Sequence, residues 1–277
     1  MDNTSGPSGI ANGSQKFVTV EKDKVMKDVA VVSLNRGPSN LLNRKLLREL
    51  IGIMDDIEAN KSYRGVILTS SVAHVFCSGL DVMEMYRKSF DQFRDFWKSL
   101  QDLWVRIYLS RLVIIAAING TAVAGGCLLA ISCDYRIMAK GPYSIGLPEN
   151  VIGLVNSIWV YETLARLVGP RQAELSLQLG LEYQVKEASE IRLVDEVVHP
   201  KKLMEACREE MTKWLRIPDF SRVRTKQSLR EPVVMMLQAN PEGDTQSMYS
   251  HVSQDVVQET LTNVLKKFKL LEASAKK

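Results

Sequence analysis

Apolar and polar residues alternate along Phe17–Glu21, which predicts a strand. Ala30–Leu34 predicts a second, closed by Asn35-Arg36-Gly37-Pro38. The period then changes. Over Lys45–Ile57 the apolar residues Leu46, Leu47, Leu50, Ile51, Met54 and Ile57 recur at helical spacing, with Asn43 as N-cap. Gly65–Thr69 is a compact apolar run, hence a buried strand. His74–Asp81 reads as a loop leading into a short helix. Phe90 to Leu109 reads as a long amphipathic helix carrying Phe93, Phe96, Trp97 and Trp104 on its apolar stripe. That aromatic stripe is assigned to the core or to a pocket wall.

Leu112 to Cys133 holds no charged residue, which is long enough to raise the question of a membrane span. Asn119, Gly120, Thr121, Gly125, Gly126 and Ser132 interrupt it, so the expected reading is buried strand (Leu112–Ile118), turn (Asn119–Ala124) and buried helix from Gly125. Tyr135–Met138 is a further strand. Strands alternating with helices predict an α/β fold with a parallel sheet. From Ser157 onward the pattern is helical: Tyr161–Leu167, Arg171–Leu179, Val185–Ile191, Leu203–Leu215, Ser221–Leu237 and Gln254–Leu271. Pro232 is expected to break or kink the fifth of these. Only Val194–His199 looks extended. The expected organisation is a disordered tail over 1–15, a core over 16–215 and a helical C-terminal region over 216–277.

Composition narrows the function. The 277 residues are 45% hydrophobic and 25% charged, as in ordinary soluble domains. The net charge of +4 comes from dispersed residues, so no nucleic-acid partner is expected. Cys77, Cys127, Cys133 and Cys207 form no CxxC pair, and no zinc-ligand spacing links them to His74, His199 or His251. Reduced thiols in a reducing compartment are expected. Residues 1–15 carry neither a secretory signal nor the arginines of a transit peptide, and the final EASAKK is not a peroxisomal address.

Three segments carry candidate chemistry. In Phe76-Cys77-Ser78-Gly79-Leu80-Asp81, the glycine allows a sharp turn that presents backbone N–H groups, and Asp81 would cap the following helix. Taken alone this is equally a plain glycine turn. In the segment 119–128, adjacent Gly125 and Gly126 open a helix whose free N–H groups would attract negative charge. Neither the GxGxxG nor the GxxxxGK[ST] spacing is present, so a nucleotide-phosphate loop is not indicated; close helix–strand packing is the alternative. In Ser144–Asn150, Glu149 follows Pro148 among apolar neighbours, where a carboxyl pKa rises toward neutrality. Its alternative is an ordinary acid at a helix start. Together, two donor turns at strand ends and one base suit reactions through a thioester enolate, whose charge develops on the carbonyl oxygen.

The sequence resembles the crotonase (enoyl-CoA hydratase/isomerase) superfamily from about residue 17 to at least 215. The markers are GVILTS at 65–70, FCSGLD at 76–81, AINGTAVAGGCLLAISCDYRI at 117–137 and IGLPENVIGL at 145–154. The resemblance implies a spiral of ββα units with a C-terminal helical region that forms homotrimers, or trimers paired into hexamers. It implies an acyl-CoA thioester substrate and no cofactor beyond the CoA of that substrate. It places the oxyanion donors at the N–H groups of Ser78 and Gly125. It places substrate and CoA contacts at Cys77, Ser78, Gly79, Leu80, Asp81, Gly125, Gly126, Leu128 and Pro148, with Asn40–Leu42 alongside, and a mitochondrial matrix location, with peroxisome or cytoplasm as alternatives.

Hydratases of this superfamily use two glutamates. One matches Glu149; the other falls where this chain has Leu128, and their PGxGG run is Gly153-Leu154-Val155-Asn156-Ser157 here. One carboxylate facing a leucine can shuttle a proton but is poorly equipped to activate water. The expected activity is therefore isomerisation of 3-enoyl-CoA to trans-2-enoyl-CoA in fatty-acid β-oxidation, with Glu149 as the catalytic base. Pro148 stands where relatives often carry asparagine, which removes a side-chain contact. A hydratase, thioesterase or decarboxylase is the alternative enzyme, and a non-catalytic binding or RNA-binding protein the alternative outside catalysis.

Overall fold

The computed structural model describes residues 16–275, apart from the side chains of 268–275. The expected tail over 1–15 lies outside the described residues.

The chain opens with an antiparallel hairpin, β1 (Val18–Lys22) and β2 (Val29–Leu34), in which Val18 faces Leu34. Helix α1 (Arg44–Ala59) follows. Asn43 caps it by accepting the Leu46 N–H at 2.9 Å, and the helix buries Leu46, Leu47, Leu50, Met54 and Ile57. Then come β3 (Gly65–Ser70), β4 (His74–Cys77), α2 (Phe90–Tyr108), β5 (Val113–Ile118), β6 (Gly120–Val123), α3 (Gly125–Ser132), β7 (Tyr135–Ala139) and β8 (Ser144–Gly146). The remainder runs α4 (Ile158–Val168), α5 (Pro170–Leu179), β9 (Glu182–Gln184), α6 (Val185–Glu190), β10 (Glu196–Val198), α7 (Leu203–Leu215), α8 (Asp219–Gln238), α9 (Pro241–Val252) and α10 (Asp255–Ala275).

Two sheets result, with strand orders β1-β2-β3-β5-β7-β10 and β4-β6-β8-β9. Each consecutive pair, β3/β4, β5/β6 and β7/β8, gives one strand to each sheet, so the chain winds as a spiral. Apart from β1–β2 and β8–β9, all pairings are parallel. The centre of the six-stranded sheet is apolar on both faces; every residue of β3 and β5 is buried, as parallel strands covered by helices require. Trp104, Trp159, Phe76, Phe93 and Phe96 anchor the core.

The structure departs from the sequence pattern in six places, two of them the three-residue strands β8 and β9, which pair antiparallel with each other where no strand was expected. His74–Cys77 is a strand rather than loop, and Gly120–Val123 is a strand rather than turn. Both are four residues long and gain their hydrogen bonds by pairing with each other across 45 intervening positions, and β6 also with β8, which no local period reveals. Helix α9 was not expected; its sequence PEGDTQSMYSHV buries only Thr245, Met248 and Val252. Helix α8 runs on through Pro232. Its first half is tied down by Arg222, Lys226 and Arg230 and its second by Val233, Val234 and Leu237, and these anchors offset the lost hydrogen bond.

The uncharged stretch from Leu112 resolves into β5, β6 and α3. No helix among the described residues is long and apolar enough to cross a membrane.

Candidate active site

Strands β4, β6 and β8 lie side by side and parallel, with Cys77 opposite Ala122 and Ala122 opposite Ile145. Their C-terminal ends therefore release the three chemistry-bearing segments at one edge of the smaller sheet. Crevices beyond such strand ends are the usual place for ligands in α/β folds.

The turn after β4 settles which amide is free. Ser78 donates its N–H to the Ser39 carbonyl at 3.0 Å. Ser78 was the expected donor, and this bond takes its amide away. Leu80 instead forms a single parallel bridge with Leu42: Leu42 N–H donates to Gly79 O at 2.8 Å, and Asp81 N–H donates to Leu42 O at 3.0 Å. In such a bridge the flanking peptides face the partner, so the N–H of Leu80 itself points to the opposite side. That side is occupied by Gly125: a Cβ built there would lie 3.3 Å from Leu80 N. Among the described residues, Leu80 N–H has no acceptor. Gly79, at φ +106°, makes the turn, and a methyl group on it would meet the Ala124 methyl at 2.8 Å.

The turn after β6 provides the second donor. Ala124 adopts φ 52° and ψ −124°, an unfavourable conformation for a residue with a side chain. It is held there by its N–H donating to Gly146 O at 2.8 Å and by Leu128 N–H donating to its carbonyl at 3.0 Å. The chain turns at once into α3, whose first amides have no intrahelical acceptor. Gly125 N–H is thus free, buried and at the positive end of the helix. Gly126 lies against β4, where any side chain would collide with the Cys77 carbonyl.

Glu149 begins a short 3-10 turn, Glu149–Ile152, after Pro148. The residue is part-buried, but its carboxyl lies within an apolar cavity, and this burial pushes its pKa up to about 7. A hydrogen bond from Asn156 Nδ2 to Oε2, at 3.4 Å, opposes the rise. The cavity is narrow, with about 30 Å³ of open space. It is lined by Leu80, Gly125, Leu128 and Glu149 together with Trp97, Leu100, Trp159 and Met248. Glu149 is the sole ionisable side chain among the described lining residues.

Of the other expected site residues, Cys77, Ser78, Gly79, Asp81, Gly126 and Pro148 build the turns without lining the cavity. Asp81 caps the next turn by accepting Met83 N–H at 3.0 Å and pairs with Arg36 at 2.8 Å. Cys77 is fully buried, which raises its thiol pKa to about 12 and leaves it unreactive. Cys127 and Cys133 are buried as small apolar residues. His74 lies at the opposite end of β4, bonded through Nδ1 to Tyr143 OH at 2.7 Å. Of the aromatic stripe, Trp97 reaches the cavity; Phe93, Phe96 and Trp104 stay in the core. Asn156 and Trp159 were not foreseen. Glu149 with Asn156 seven residues on had no recognisable motif, and Trp159 read only as a helix residue.

Residues 24–270 match the family described as enoyl-CoA hydratase/isomerase. Among curated proteins, the chain is 40% identical over 269 residues to enoyl-CoA delta isomerase 1, mitochondrial, of Rattus norvegicus, covering 95% of this chain and 93% of the rat protein. Among solved structures, human mitochondrial delta3-delta2-enoyl-CoA isomerase superposes with a TM-score of 0.89 at 39% identity, over 92% of this chain and 98% of the human one. An enoyl-CoA hydratase from Bacillus halodurans superposes at 0.81 over 90% of this chain and all of its own, but at 21% identity it supports the fold alone.

Proposed function

The chain belongs to the enoyl-CoA hydratase/isomerase family, and from that premise we propose that it is an enoyl-CoA delta isomerase. It shifts the double bond of a 3-enoyl-CoA to give trans-2-enoyl-CoA in fatty-acid β-oxidation. The observation that carries this reading is a single carboxyl, Glu149, in an apolar cavity that also holds two free amides. Similarity to isomerases at about 40% identity supports it independently.

The thioester oxygen sits between the N–H groups of Leu80 and Gly125. Glu149, ionised, takes a proton from C2. The charge of the resulting dienolate collects on the oxygen, where both amides and the positive end of α3 stabilise it. Each donor of this kind contributes roughly 3–4 kcal/mol to the transition state. Glu149 then returns the proton to C4. A pKa of about 7 suits both halves of the task, since the group must give up and regain a proton at neutral pH. Leu128 lines the cavity where a hydratase would place its second acid, so water has no second group to orient it.

The assembly we propose is a homotrimer. Helix α8 buries Arg222 and Lys226 yet exposes Phe220 (82%), Leu229 (63%) and Met235 (61%), apolar side chains that neighbouring copies would cover. The mitochondrial naming of the mammalian relatives supports a mitochondrial location.

The test is an ultraviolet assay on two substrates side by side. 3-hexenoyl-CoA gains conjugation if isomerised, and 2-hexenoyl-CoA loses it if hydrated. Fast gain with little loss is expected. Dominant hydration would assign the chain to the hydratases, and silence in both would point to another thioester reaction or a non-catalytic role.

A further inference from the structure

Beyond the reacting atoms, the cavity wall shows an arrangement that the chemistry does not require. Asp244 lies in the first turn of α9. Its Oδ2 accepts the indole N–H of Trp97 at 2.8 Å, the side-chain amide of Gln101 at 2.8 Å and the indole N–H of Trp159 at 3.4 Å. The two indoles come from different helices, α2 and α4, and both line the cavity that holds Glu149. Met248 and Val252 line it too, and they follow Asp244 at four-residue intervals on the same face of α9.

We propose that Asp244 is a positioning residue that sets acyl-chain selectivity, by fixing the rings of Trp97 and Trp159 as the unyielding wall of the acyl cavity. This rests on the isomerase reading and deepens it.

Three observations support the assignment. First, an indole N–H donates only, so a carboxylate that receives two of them fixes the azimuth of both rings at once. Second, packing alone does not demand such a partner. Trp104 packs tilted at 45° against Trp159, with ring centroids 4.8 Å apart in the same core, and its N–H has no hydrogen-bond partner among the described residues. Third, Asp244 makes no ion pair with a lysine or arginine among the described residues; its charge is met by N–H donors and by the start of α9. It is thus committed to the cavity wall rather than to the surface. A chain that outgrows the cavity must push a ring aside; Trp97 is held by its stack on Phe93 and at its N–H, and Trp159 by its tilted contact with Trp104 and at its N–H.

The experiment measures kcat and KM for 3-hexenoyl-, 3-octenoyl- and 3-dodecenoyl-CoA in the wild type, Asp244→Asn, Trp97→Phe and Trp159→Phe. The phenylalanine variants keep an aromatic ring and remove the N–H, so they preserve the helix junction if Asp244→Asn fails to fold. The expected result is a rise of about tenfold in the dodecenoyl-to-hexenoyl ratio of kcat/KM, the scale on which pockets discriminate by a few methylenes. The change should lie in KM, with the pH profile set by Glu149 unmoved. A ratio within about twofold of wild type in the folded variants, with all substrates falling in parallel, would overturn the proposal. If the wild type itself isomerises none of these substrates, the isomerase reading fails separately. The same ratio is then read from calorimetric Kd values of hexanoyl- and dodecanoyl-CoA, and an unchanged ratio overturns the proposal there too.

Discussion

The amide of Ser78 donates to the carbonyl of Ser39 at 3.0 Å, and this one bond decides which N–H of the glycine turn is available to a substrate. The next outward-facing amide is that of Leu80, beside Gly125. Replacing Leu80 by its α-hydroxy analogue turns that amide into an ester and deletes the donor alone. Turnover of 3-hexenoyl-CoA should fall by about 10²–10³, the usual loss for one oxyanion donor. The same exchange at Ser78 should lower stability and leave turnover within about tenfold. The reverse ranking would restore Ser78 as the donor.

The base must be ionised to start the reaction, and burial raises its pKa to about 7. Activity should therefore be low at pH 5–6 and climb to a plateau above pH 8, by the titration of a single group. Asn156 donates to the carboxylate and opposes that rise. In Asn156→Ala the midpoint of kcat/KM should move to higher pH; a midpoint that stays or moves down would remove Asn156 from the base's environment.

Burial of Glu149 also has a cost to stability with a definite sign. Its folded pKa of about 7 lies above the ordinary 4.5. Between those values the folded state binds the extra proton, so stability falls as pH rises through the window, by on the order of 3 kcal/mol. Glu149→Gln cannot ionise and escapes this loss. In thermal melts, the variant should match the wild type near pH 4–5 and exceed it at pH 8. Equal melting curves at both pH values would mean the carboxyl is not desolvated in the folded protein.

The C-terminal helices are fastened by a buried charge cluster. Asp134 accepts from Lys226 Nζ at 2.8 Å, from Ile114 N–H at 2.8 Å and pairs with Arg230 at 3.1 Å. Asp134→Ala leaves Lys226 buried and unpaired, which should cost roughly 3–5 kcal/mol in urea unfolding. Lys226→Met with Asp134→Leu should recover part of that loss, because the buried ammonium goes with its partner while Arg230 keeps its bonds to the Tyr108, Ser132 and Cys133 carbonyls. A single substitution costing under about 1 kcal/mol would show that the cluster does not anchor α8.

Much of this architecture was legible because long elements carry their own period. Helices α1, α2, α7 and the β3 and β5 strands coincide with the sequence pattern to within a few residues. The ends of β4, β6 and β8 were marked by FCSGLD, NGTAVAGG and IGLPE, so the three segments of the site were identified before their proximity was. Two things were not legible. The first is the identity of the free amide: the Ser39–Ser78 and Leu42–Leu80 pairings join positions 38–39 residues apart, and the local glycine turn looks the same whichever amide faces inward. The second is α9, whose polar sequence hides Asp244, because its function depends on indoles delivered by two other helices.

The central claim is that Glu149 alone moves the proton. The most direct measurement is the turnover of 3-hexenoyl-CoA by Glu149→Gln, with binding of the substrate followed in parallel by calorimetry. The account predicts a kcat lowered by about 10³ or more with Kd within a few-fold of wild type, as expected when a positioned base is removed from an otherwise intact site. Near-normal kcat in the folded variant would contradict it.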